Sequence, residues 1–177
     1  MRIAPFIRVL AFFLAGVTSC AWAEDVRVPI STGGALVLPV PEGWRSSMQP
    51  GPAPTVSLTP ARGGSFQVLV SALVAPDGRV ASASRESIRR HVEAGATEAK
   101  SQSVERSLVI QSFGSGDVQG NYFSATDRAP KPGEFKYMTQ GVMSVGGLPV
   151  TFTILSNGNA QEVVEPALRM LAAARKE

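Results

Sequence analysis

A length of 177 residues, a formal net charge of +3 and a single cysteine already exclude several classes of protein. One cysteine cannot form an intramolecular disulfide, and one histidine with one cysteine falls short of the roughly four ligands of a structural zinc site. We therefore expect one ordinary globular domain without a resident metal or other cofactor.

The N-terminal segment predicts export. Arg2 and Arg8 precede an apolar run from Val9 to Val17, and Ala21-Trp22-Ala23 supplies the small residues that a signal peptidase recognises. This pattern predicts a signal peptide over residues 1–23, a mature domain over 24–177, and a periplasmic or secreted location. An alternative is that Val17-Thr18-Ser19-Cys20 acts as a lipobox, which would make the chain an outer-membrane lipoprotein anchored through Cys20.

The basic balance belongs to the predicted signal. Removing residues 1–23 takes away Arg2 and Arg8 and leaves 15 Lys and Arg against 14 Asp and Glu, a net charge of +1. Electrostatic binding of nucleic acid requires a clustered surplus of cations, so no nucleic-acid partner is expected. Membrane contact is expected only if Cys20 carries lipid.

The first part of the mature chain predicts strands. Residues 25–30 and 35–40 are β-branched runs around a turn at 31–34. Prolines at 39 and 41 end the second run and predict an exposed, mobile loop through Pro54. Residues 56–59 and 65–74 then form a predicted hairpin around Ala61-Arg62-Gly63-Gly64.

The middle of the chain predicts a helix that begins near Ser82 or Ser84, whose hydroxyl groups can cap its first turn. Apolar residues follow at helical spacing and form one stripe, at Ile88, Val92, Ala96 and Ala99. Two i,i+4 ion pairs lie on the solvent side, Glu86 with Arg90 and Arg89 with Glu93.

The last third predicts an antiparallel meander and a closing helix. Strands are expected over 108–113, 118–127, 135–145 and 148–155. Asn159 and Glu162 form a capping box for the helix, Pro166 should kink it, and its apolar face comprises Val164, Ala167, Leu168 and Leu171. The predicted fold is α+β, an antiparallel sheet sandwiched by two helices, with Ile88, Val92, Val164, Leu168 and Leu171 packed on the sheet.

A family resemblance follows from the order of these elements and from the segment Leu36-Val37-Leu38-Pro39-Val40-Pro41-Glu42-Gly43-Trp44. Both resemble the PsbP/Mog1/DcrB-like superfamily, which implies an α/β/α sandwich and an accessory, non-catalytic role. Residues 126–141 resemble a segment of uncharacterised bacterial secreted proteins. Neither resemblance assigns a functional residue to this chain.

Catalytic motifs are sparse. His91 is the sole imidazole that could act as a base, but no Gly-x-Ser-x-Gly or Ser-x-x-Lys sequence accompanies it, and its place beside the apolar stripe favours a partly buried helix histidine. Residues 114–120 superficially suggest a phosphate cradle. That segment runs into a predicted strand, so it lacks a helix N-terminus and is interpreted as a hairpin loop.

The best candidate for recognition is the loop from Asp127 to Tyr137, in which prolines stiffen a charged and aromatic segment. Its candidate binding residues are Arg128, Lys131, Glu134, Lys136 and Tyr137. The alternative is a charged hairpin connection whose aromatic residues belong to the next strand. Trp44 is a further candidate anchor, although a core position is the favoured interpretation.

These observations predict an exported, non-catalytic envelope protein that acts as an accessory or binding module for a protein partner. Two alternatives remain open, a small periplasmic hydrolase that uses His91 and a carrier of a small apolar ligand between sheet and helix.

Overall fold

The computed structural model describes residues 22–30, 33–49, 54–73, 83–158 and 160–177. Most of the predicted signal peptide, including Cys20, lies outside these ranges, as do residues 50–53 of the predicted loop, Ser82 and the predicted helix cap Asn159.

The described residues form two antiparallel sheets and two helices, which confirms the α+β class. In chain order the elements are β1 (Trp22–Pro29), β2 (Ala35–Pro41), β3 (Trp44–Gln49), β4 (Thr55–Pro60), β5 (Phe66–Ala72), α1 (Arg85–Ala99), β6 (Gln111–Ser115), β7 (Val118–Thr126), β8 (Tyr137–Val145), β9 (Leu148–Ser156), α2 (Ala160–Ala172) and β10 (Arg175–Lys176).

The larger sheet has seven strands in the order β3-β4-β5-β9-β8-β7-β6, and the smaller sheet has three in the order β1-β2-β10. The predicted meander is confirmed, because β6 pairs with β7, β7 with β8 and β8 with β9. Ser84 caps α1 by accepting a hydrogen bond from the Ser87 N–H, as predicted. α2 continues through Pro166 to Ala172.

Two clusters of buried side chains form the core. The larger one joins β1 and β2 to α2 and to the strands β4, β5, β8 and β9. The smaller one packs Ile88 and Val92 of α1 against Phe123 and Val142 of β7 and β8. The predicted core positions are confirmed, with Leu171 fully buried and Val164 and Leu168 half-buried against the larger cluster.

The prediction of a loop after the second strand is wrong for residues 44–49. Residues 44–49 form the edge strand β3, which pairs with β4 from Trp44 opposite Pro60 to Gln49 opposite Thr55. The segment lacks an alternating apolar pattern because all its residues after Trp44 are exposed, so pairing with β4 rather than burial holds it extended. The two-residue strand β10 is also absent from the prediction.

Two glycines leave room for aromatic rings at the centre of the meander. Gly120 faces the ring of Phe113, and a Cβ at Gly141 would collide with the Phe152 ring and the Asn121 carbonyl oxygen. Phe113 and Phe152 meet edge to face, with ring centroids 5.5 Å apart. This aromatic cluster packs beneath the candidate site described below, since Phe113 also contacts the ring of Tyr122.

Candidate functional site

A groove of 440 Å³ lies between α2 and the strands β7 and β8. Tyr122 and Ser124 of β7 and Tyr137 and Thr139 of β8 line it from the sheet, and α2 contributes the half-buried side chains of Val164 and Leu168. We call this cavity the α2 groove. It combines an apolar wall with a floor of hydroxyl groups, which is the composition of a site that fixes a ligand by shape and a few hydrogen bonds.

Tyr122 is held in place from two sides. Its ring contacts Phe113 edge to face at 6.0 Å, and its hydroxyl group donates a hydrogen bond to Gln111 Oε1 at 2.9 Å. Burial raises the pKa of Tyr122, so the phenol stays protonated and remains a donor at neutral pH. Gly141 lies directly opposite on β8, where the absence of a side chain leaves room for the Phe152 ring.

Glu105 lies at one end of the groove and is hydrogen-bonded to Ser103 and Thr126. Its carboxylate accepts hydrogen bonds from the Thr126 N–H at 2.9 Å, the Thr126 hydroxyl at 2.6 Å and the Ser103 hydroxyl. Burial by itself would raise the pKa of Glu105, but these hydrogen bonds outweigh it and lower the pKa to about 2. Glu105 is therefore ionised at neutral pH, and within the described part of the chain no Lys or Arg forms an ion pair with it.

The predicted recognition loop lies beside this groove. Tyr137 is the one candidate residue of the loop that lines the groove. The Arg128 guanidinium donates to the Ser103 carbonyl oxygen at 2.7 Å, and Lys131 lies 4.0 Å from Glu134. The Lys136 ammonium lies 5.3 Å from the centroid of the Tyr137 ring. The charged residues are thus exposed, and Tyr137 is the first residue of β8, as the interpretation of the loop as a hairpin connection expected.

Asn157 fixes the conformation of this loop. Its side-chain oxygen accepts a hydrogen bond from the Lys136 N–H at 2.7 Å, and its amide group donates to the Glu134 carbonyl oxygen at 3.3 Å. The Asn157 amide also reaches the Ser65 hydroxyl at 3.2 Å, which ties the loop to the start of β5. The rim charges are consequently presented on an ordered segment.

Trp44 lies outside the groove. Its ring packs on Phe66 with a centroid distance of 4.6 Å, and it is half-buried against the larger core cluster. Phe66 of β5 and Tyr137 of β8 both pair with Ser156 of β9, the strand between them. Trp44 and Tyr137 therefore lie at the same end of the sheet, with Trp44 in the core position that was favoured.

The prediction of a partly buried His91 is wrong. The side chain is exposed on α1 beside a cleft of 230 Å³ that Glu98, Gln140 and Thr151 also line. Ile88 and Val92, its neighbours on the helix, take the buried positions instead. Within the described residues His91 makes no hydrogen bond or ion pair, so it is not oriented as the base of a triad would be.

The interpretation of residues 114–120 as a hairpin is confirmed. Gly116 and Asp117 form the turn between β6 and β7, and the segment continues into β7 as predicted. The first residue of α1 nevertheless lies against it, because the Arg85 guanidinium donates to Gln119 Oε1 at 2.7 and 3.1 Å. Sequence adjacency could not predict this contact, since the two residues are 34 positions apart.

Several residues of the site were missed by sequence reasoning. Glu105, Gln111, Tyr122 and the hydrogen-bonded pair Ser124 and Thr139, 2.8 Å apart, carry no motif. An alternation of polar and apolar residues was visible in β7, but which face would be partly open depends on where α2 lies. That position is set by contacts distant in sequence.

No family model and no curated protein matches the chain. None of the helices in the described ranges combines the length and hydropathy needed to cross a bilayer. The described residues also bring together no group of three or more His, Cys, Asp or Glu side chains that could hold a metal ion.

Proposed function

We propose that the protein is an exported, non-catalytic module of the cell envelope that binds a segment of a partner protein in the α2 groove. The observation that carries this proposal is the groove itself, where Val164 and Leu168, beside Gln161 and Glu165 of the same helix, lie opposite two tyrosines and a row of hydroxyl groups. Tyrosines are favoured in interfaces because one ring supplies both apolar area and a hydrogen-bonding group.

The order around the groove supports binding. The Asn157 hydrogen bonds hold the rim loop, and Glu105 ties the segment before β6 to β7. A site whose walls are already fixed loses less conformational entropy when a partner binds. We propose the periplasm or the exterior as the location, with anchoring through Cys20 as the alternative.

We also propose that the architecture is the α/β/α sandwich of the PsbP/Mog1/DcrB-like superfamily. Phe123 packs against α1 in the smaller core cluster, whereas its neighbour Tyr122 packs in the larger cluster that contains α2. Since successive side chains of a strand point to opposite faces, this alternation supports helices on both faces of the large sheet.

The test is capture of a partner from the native host after crosslinking in cells, with the full-length chain carrying an affinity tag. We expect the wild type and Arg90→Glu to capture the same partner, because Arg90 is exposed on α1 away from the groove. Leu168→Glu, checked for an unchanged fold by circular dichroism, should lose it. Equal capture by Leu168→Glu, or no partner above background with the wild type, would refute the proposal.

A further inference from the structure

The strand β6 is an outer edge of the large sheet. Among the described residues it pairs with β7 on one side and with no strand on the other. Its sequence, Gln111 to Ser115, contains no charged residue and no proline. Proteins commonly protect such edges with lysine, proline or inward-pointing charges, and β6 shows none of these devices.

A cavity adjoins β6 on each face of the sheet. Gln111 is the one β6 residue that lines the α2 groove, whereas residues 112–115 line a cavity of 530 Å³ next to α1. We call the second one the α1 cavity. Because side chains alternate between the faces of a strand, a peptide paired with the free edge would direct successive side chains toward the α1 side and the α2 side of the sheet in turn.

The α1 cavity is basic. Arg85 and Arg89 line it together with neutral polar residues, and no carboxylate is among its lining residues. Arg89 is paired with Glu93 at 2.8 Å, but the Arg85 hydrogen bonds go to the neutral side chain of Gln119. Asp117 lies with Arg85 beside a neighbouring cleft of 290 Å³. The charge that faces the β6 edge is therefore positive on this side.

The other side carries no basic residue and is partly apolar. Val164 and Leu168 line the α2 groove together with the carboxylates of Glu105 and Glu165, and Val109, two residues before Gln111, is 67% exposed. An exposed valine next to an unprotected edge favours a protein contact over free solvent. The two faces thus call for different side chains on one extended segment.

We propose that the β6 edge accepts an extended segment of a partner protein as an eighth strand, with acidic side chains facing Arg85 and Arg89 and apolar side chains facing the α2 groove. This inference rests on the proposed binding function and specifies how the partner is held. Strand addition gains affinity from main-chain hydrogen bonds and specificity from pockets that receive alternate side chains.

The test uses a blocked peptide of six residues with alternating Glu and Val as the probe, followed by amide shifts of the isotope-labelled protein. We expect saturable shifts in residues 109–115. The same peptide N-methylated at every second residue cannot form the ladder, and a Lys and Val peptide meets the arginines with the wrong charge, so neither should shift these amides.

Arg89→Gln and Arg90→Gln form a matched pair, because both arginines are exposed on α1 in i,i+4 pairs but Arg89 alone lines the α1 cavity. Arg89→Gln should weaken the Glu and Val peptide about threefold, the scale of one exposed ion pair, and Arg90→Gln should not. Absence of shifts at β6, or equal shifts with the N-methylated peptide, would overturn strand addition. Partner capture that still depends on Leu168 would then leave the binding function standing without it.

Discussion

At the scale of single residues, the clearest chemistry belongs to Glu105. Its carboxylate takes hydrogen bonds from the Thr126 N–H, the Thr126 hydroxyl and the Ser103 hydroxyl, all neutral donors. These bonds favour the ionised form and hold the pKa at about 2. The sequence gives no sign of this, because Glu105 and Thr126 are 21 positions apart.

Replacing Glu105 by Gln should lower the free energy of unfolding at pH 7 by about 1.5–3 kcal/mol, the range for hydrogen bonds to a charged group. Since the folded pKa is below the ordinary 4.5, the contribution of the wild-type carboxylate is full above pH 4.5 and is lost as pH falls toward 2. Urea unfolding at pH 7 and pH 3 should show a smaller pH effect in the variant. Glu86→Gln is the control. An unchanged pH effect in Glu105→Gln would contradict a stabilising role of the hydrogen bonds to the Glu105 carboxylate.

Gly141 is a second residue whose role is set by its neighbours. Gly141→Ala should destabilise the fold by about 1–3 kcal/mol, because the new Cβ has no room beside the Phe152 ring and the Asn121 carbonyl. Gly95→Ala in α1 is the control, since its Cβ would meet Phe123 at an ordinary 3.5 Å and alanine favours a helix. Thermal melts should therefore move in opposite directions, and a higher melting temperature for Gly141→Ala would contradict this packing.

At the scale of elements, the periodicity of apolar residues predicted the helices and strands that have a buried face. It missed the strands that are defined by hydrogen bonding to a neighbouring strand. The apolar stripe of α1 and the alternation in β7 to β9 reflect packed faces, so their bounds were close to those observed. The strand β3 has exposed serines and β10 has two charged residues, so hydrogen bonding to β4 and β2 defines them instead. The groove was missed for a related reason, since it exists only once α2 packs beside β7.

The two leucines of α2 should differ in their contribution to stability. Leu171 is fully buried, so Leu171→Ala should lower the free energy of unfolding by about 2–5 kcal/mol. Leu168 is half-buried at the groove, and Leu168→Ala should cost clearly less because part of its surface already meets solvent. Denaturant titrations of both variants measure this, and equal losses would mean that α2 is not docked through Leu171.

At the scale of the whole molecule, the features of a binding site border the α2 groove. The rim loop reaches the groove at Tyr137 and β6 reaches it at Gln111, and no other described strand pairs with the outer edge of β6. The sole histidine stands exposed on α1 without partners among the described residues. The fold class followed from the sequence, and of the residues in the predicted recognition loop Tyr137 lines the groove. The groove itself depends on contacts between distant segments.

Site-specific photocrosslinking in the native host tests whether a partner protein binds in the α2 groove. A photoreactive residue replaces Glu165, which is exposed at the groove, or Arg90, which is exposed on α1. We expect one light-dependent adduct of defined mass at position 165 and none at position 90. Adducts of equal yield at both positions, or none at 165, would contradict this expectation.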